Sequence, residues 1–72
     1  MTETANIYIG LLDEGVDVWR PVTAEIVGSS TYKIIEAIPV GEQWEFQPGD
    51  VVHCSLKPIS GEMCLVADKK LI

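Results

Sequence analysis

His53 and Cys54 stand next to each other, and a Cys–His pair is among the few arrangements that make a nucleophile from a side chain. Such a pair needs the thiol and the imidazole within hydrogen-bond reach. Neighbours on an extended strand point to opposite faces, so these two do not form it. The chain has one histidine, and no second one can replace it. A structural zinc site needs four Cys or His ligands, and Cys54, Cys64 and His53 are three without motif spacing. Asp13, Glu14 and Asp17 are hard-cation ligands by type, but their spacing does not match an EF-hand loop. Asp13, Glu14, Asp17, Glu42 and Glu45 fall in or near loops, where solvated carboxylates are the ordinary case. No glycine-rich phosphate loop is present, and Lys69-Lys70 is too short for a nucleic-acid patch. The expectation is a protein with no catalytic residues, no metal and no cofactor.

The most conspicuous local feature is Asp13 to Arg20, which packs three acids, a glycine, a tryptophan and an arginine into eight residues. On a hairpin-like arch, Arg20 would pair with Asp13, Glu14 or Asp17, and Trp19 would wall a shallow groove. Trp and Arg are favoured at interface hot spots. In SH3-like domains, acidic and aromatic residues around such a loop bind extended peptides. The competing reading makes Trp19 a core residue and Arg20 half of an ordinary surface ion pair. Trp44 and Phe46 form a second aromatic pair. Core packing is the plainer reading for them, but an exposed ring would extend the groove beside Trp19. The candidate binding residues are therefore Asp13, Glu14, Asp17, Trp19, Arg20 and Trp44.

The elements that position these residues are strands. Hydrophobic residues make up 47% of the 72-residue chain and charged residues 22%, an ordinary globular composition. Helix signals are poor, alternation recurs, and turn residues fall about every ten residues. Asn6–Leu12 puts Ile7, Ile9 and Leu11 on one face. Val18–Val27 contains Pro21, which marks an edge or a bulge. A bulge there would turn Trp19, Val22, Ala24 and Ile26 all inward and leave Arg20 outward. Gly28–Thr31 reads as a hairpin turn, Tyr32–Ile38 as a central strand, and Pro39–Glu42 as a loop. In Trp44-Glu45-Phe46 the rings face one way and the acid the other. Pro48-Gly49-Asp50 turns the chain into Val51–Lys57, with Val52, Cys54 and Leu56 inward. Pro58–Gly61 turns it again into Met63–Ala67, with Met63 and Leu65 inward. Five or six short strands predict a single all-β domain over residues 1–72, a small, partly open SH3-like barrel, with an OB-like barrel as the alternative.

Leu11-Leu12-Asp13-Glu14-Gly15-Val16-Asp17-Val18-Trp19-Arg20-Pro21-Val22, with Tyr32-Lys33-Ile34 and Trp44-Glu45-Phe46-Gln47-Pro48-Gly49-Asp50-Val51-Val52-His53-Cys54, resembles a group of small bacterial proteins of uncharacterised function. They carry the first segment followed by the second. The resemblance spans most of residues 8 to 54. It implies a bacterial cytoplasmic origin and a free-standing small domain, and no activity, substrate, cofactor or site residue.

The net charge of -6 opposes phosphate and anionic lipid, which argues against nucleic-acid and membrane partners; its plain reading is solubility, and its functional reading is attraction to a basic protein partner. The longest uncharged run, between Glu3 and Asp13, is too short to span a bilayer and has no basic segment before it. The expected compartment is the cytoplasm. Two cysteines are fewer than a small disulfide scaffold carries, so reduced thiols are expected, with a bridge conceivable if their strands pair. The function expected is a non-catalytic protein-interaction module with an acidic, aromatic-lined face. The alternatives are a self-assembling barrel, such as a homodimer, and an acidic subunit or inhibitor of a basic enzyme.

Overall fold

The apolar alternation of the first strand sets the barrel wall. In the computed structural model, which describes residues 3–12 and 18–72, β1 (Thr4–Gly10) buries Ile7 and Ile9 completely. It pairs antiparallel with β2 (Trp19–Gly28) in unbroken register, from Thr4 opposite Glu25 to Gly10 opposite Trp19. A two-residue turn leads to β3 (Thr31–Ile34), which pairs with β4 (Val51–Ile59), and β4 pairs with β5 (Glu62–Lys70). A single parallel pair, Tyr8 with Val66, closes the barrel in the order β1-β2-β3-β4-β5. The fold is all-β, as expected, and its ring of strands is complete rather than partly open.

The core is one cluster built from Ile7, Ile9, Val22, Ala24, Ile34, Trp44, Phe46, Val52, Cys54 and Ala67, with Leu11, Tyr32, Ile38 and Leu65 packed against it. No polar or charged residue is buried among the described residues. Apolar burial is therefore the main stabilising term.

Several expectations need correction. No bulge occurs at Pro21, which pairs directly with Tyr8. β3 reaches β2 only from Ala24 onward, so Pro21 sits on a stretch with one strand neighbour, where a missing N–H is harmless. The register shift lies instead between Ile26 and Gly28, at the hairpin, and leaves Ile26 39% exposed. With parity unbroken from Trp19 to Glu25, Arg20 shares the inward parity of Val22 and Ala24. Trp19 falls on the outer face, so both side chains are reversed from expectation.

β3 ends at Ile34, not Ile38. Ile35 N–H still donates to Thr23 O at 3.2 Å in register, but Thr23 N–H donates to the Glu36 side chain at 2.8 Å instead of back to the backbone, and the ladder ends.

Leu56 and Met63 are each 61% exposed rather than in the core. β3 pairs β4 only through His53, so the end of the β4–β5 ribbon projects past the barrel; Leu65 is the last inner-face residue on β5 to reach the core, and Leu56 and Met63 stay exposed. Ser60 and Gly61 close the ribbon with φ of 52° and 86°, the double positive φ of a type I′ turn.

The two thiols are free. Their strands do pair, but Cys54 lies opposite Ala67 and Cys64 opposite Lys57. Three residues of strand separate them, about 10 Å at strand rise, beyond disulfide reach.

Candidate functional site

β1 runs on past its last ladder residue. Leu11 N–H donates to Val18 O at 3.0 Å on one side, and Leu12 N–H donates to Gln43 O at 2.9 Å on the other. Glu45 N–H donates to Gly10 O at 2.9 Å, and Leu11 bridges Trp44. Residues 43–45 thus act as a third strand beside the end of β1. Across these three strands Trp19, Gly10 and Glu45 stand in one lateral row on the outer face.

Glycine in the middle of that row leaves a gap. A methyl group placed on Gly10 would meet Glu45 Oε1 at 3.5 Å and the Trp19 ring carbon Cζ3 at 3.7 Å. Those are ordinary contact distances, so the indole and the carboxylate are the two walls and the Gly10 backbone is the floor. The groove has a volume of about 190 Å³ and is lined by Gly10, Leu11, Leu12, Val18, Trp19 and Glu45. Small-molecule and cofactor sites run to ~300–1,000 Å³. This one is sized for a side chain or two of a docked segment.

Beyond its backbone bonds to Gly10 and Leu12, segment 43–45 is anchored by Glu42. The Trp44 indole Nε1–H donates to Glu42 Oε1 at 2.9 Å, and Arg20 Nη1 lies 3.1 Å from Glu42 Oε2. One carboxylate joins the inner end of β2 to the buried ring. Gln47 Nε2 adds a bond to Trp44 O at 3.3 Å. Arg20 Nε is buried and finds no acceptor among the described residues.

The expected residues divide as follows. Trp19 lines the groove. Arg20 lies behind it and pairs with Glu42. Trp44 is 1% exposed, so its ring belongs to the core and walls no groove. Phe46 is buried beside it and Glu45 points out, as the alternation predicted. Asp13, Glu14 and Asp17 lie outside the described residues, as does any pairing of theirs with Arg20. Gly10, Glu42 and Glu45 were not among the candidates. The legible signal was Gly10, since an isolated glycine inside a strand marks a close approach or an open gap.

A second constellation lies on the outer face of β4 and β5. His53 Nδ1 is 2.7 Å from Asp68 Oδ1. An ionised carboxylate only accepts, so Nδ1 carries the hydrogen. The hydrogen bond from His53, outweighing the desolvation that opposes it, holds the Asp68 carboxyl below its ordinary value. Cys54 points the other way, into the core. Burial, with Asp68 nearby, pushes its thiol up to about 11, which removes the thiolate a nucleophile needs.

No group of three or more metal-ligating side chains gathers among the described residues. No helix there is long and apolar enough to cross a membrane. No family model, curated protein or solved structure matches the chain.

Proposed function

We infer that this protein is a non-catalytic interaction module of the cytoplasm that receives an extended segment of another protein over the Trp19 groove. The observation that carries the reading is the row Trp19–Gly10–Glu45, a half-buried indole beside an open backbone floor. Tryptophan in that setting supplies large contact area at little entropic cost. Leu12, 58% exposed at the rim, adds apolar surface that a docked segment would cover. The buried, protonated Cys54, turned away from His53 and its partner Asp68, supports a role without covalent chemistry.

Selection of peptides from a random display library against the folded protein tests the reading. Selected peptides are expected to shift the amide resonances of Gly10, Leu12 and Glu45 and to lose affinity at least tenfold for Trp19→Ala. Peptides that bind the variant as tightly as the parent sink it.

Self-association is the second reading. Leu56 and Met63, exposed on one face of the projecting ribbon, favour it. A sedimentation coefficient independent of concentration up to the millimolar range rules it out.

A further inference from the structure

The geometry points to a positively charged side chain, arginine or lysine on the docked segment, as the occupant of the gap between Trp19 and Glu45. This deepens the interaction reading and rests on it.

Three observations carry the assignment. The first is spacing. Trp19 and Glu45 flank Gly10 on adjoining extended segments, and Glu45 Oε1 and Trp19 Cζ3 stand 3.5 and 3.7 Å from one methyl position on Gly10, so the two walls are at most about 7 Å apart, two stacking distances. That is the width of one inserted side chain, bounded by an aromatic ring and a carboxylate. A cation is attracted to the indole and pairs with the carboxylate, whereas a neutral side chain gains only the first contact and an acidic one is repelled.

The second is unspent charge. All five Lys and Arg residues of the chain lie among the described residues, and none lines the groove. Arg20, the nearest in sequence, is held by Glu42 from behind, and Lys70 reaches Asp50 on the far side. None of the ion pairs among the described residues uses Glu45. The groove therefore presents an uncompensated negative wall in a chain of net charge -6, complementary to a basic segment.

The third is the anchoring of the acidic wall. Glu45 N–H is tied to Gly10 O, and Trp44 beside it is buried and bonded to Glu42. The backbone that carries the carboxylate is fixed against the floor, so less ordering cost falls on binding.

The test uses capped five-residue glycine-serine peptides with a central arginine, lysine or citrulline, titrated into the labelled protein. The indole Nε1–H resonance of Trp19 and the amides of Gly10 and Glu45 are the readouts. Citrulline keeps the planar shape of arginine without its charge. The arginine and lysine peptides are expected to shift these resonances, and citrulline to bind at least about fivefold more weakly. Glu45→Gln should lose about the same factor for the charged peptides and nothing for citrulline. Gly10→Ala, a methyl at ordinary contact distance on the floor, should block the seat while leaving the far-side amides unshifted. The charged seat is overturned if citrulline matches arginine, if Glu45→Gln binds as the parent does, or if no peptide moves Trp19. If library-selected neutral peptides bind in a Trp19-dependent way while the charged seat fails, the interaction module stands without it. If Trp19→Ala changes no binding at all, both fall.

Discussion

Glu42 and Trp44, two residues apart in sequence, are joined by an indole hydrogen bond of 2.9 Å that ties an irregular segment to the barrel core. The same carboxylate holds Arg20 through its other oxygen. Together with the backbone bonds to Gly10 and Leu12, this anchor keeps residues 43–45 against β1 as an added strand, and the outer groove exists because they lie there.

Removal of that carboxylate should be felt in stability. Glu42→Ala leaves the indole N–H and the Arg20 guanidinium without their acceptor, which costs about 1–3 kcal/mol. Glu42→Gln keeps an oxygen for the indole and should cost less. Urea midpoints of the two variants check this. Equal midpoints for Glu42→Ala and the parent would show that the anchor does nothing.

Stability on the acid side should depend on Asp68. Its folded carboxyl titrates below the ordinary 3.8, so its contribution is present above that pH and is lost as pH falls through the lower folded value. Asp68→Asn removes the contribution, and the loss of stability below about pH 4 should become shallower than in the parent. Parallel acid unfolding curves for the two proteins would contradict the pairing with His53.

The two thiols should react at different stages. Cys54 is buried and its pKa is raised to about 11, whereas Cys64 is half-exposed on the projecting ribbon. At pH 8 a thiol reagent should modify one cysteine per folded chain, mapped by mass spectrometry to Cys64, and the second only in denaturant. Prompt modification of both in the folded protein would mean that the core around Cys54 opens freely.

Substitutions along the β4–β5 ribbon should divide sharply from those in the barrel. Ile7→Ala and Val52→Ala remove fully buried side chains, and for isoleucine the cost is about 2–5 kcal/mol. Leu56→Ser and Met63→Ser change side chains already 61% exposed and should cost under about 0.5 kcal/mol. Thermal melts of the four variants make the comparison. A large loss from Leu56→Ser in a monomer would show that something covers the ribbon.

Strand alternation specified the all-β class and the inward sets Ile7–Ile9–Leu11, Val22–Ala24 and Val52–Cys54; turn residues marked the Gly28–Thr31 hairpin, while β4 ran through Pro58 and Ile59 and left only Ser60–Gly61 of the expected Pro58–Gly61 turn. The period-two direction of side chains is a local property of an extended chain and needs no partner to be read. Alternation also placed Trp44 and Phe46 together with Glu45 opposed. What a strand faces is not local. Leu56 and Met63 carry the same pattern as Val52 and Cys54, yet they lie beyond the last residue that β3 pairs. Whether Pro21 needs a bulge depends on how far β3 reaches along β2, and that in turn decides which of Trp19 and Arg20 points in. The partner of Arg20 is an acid 22 positions along the chain, because only closure of the barrel brings residues 42–45 beside the end of β1. Tertiary pairing decided the groove, since a gap between two walls comes into being only when three separate segments share one row.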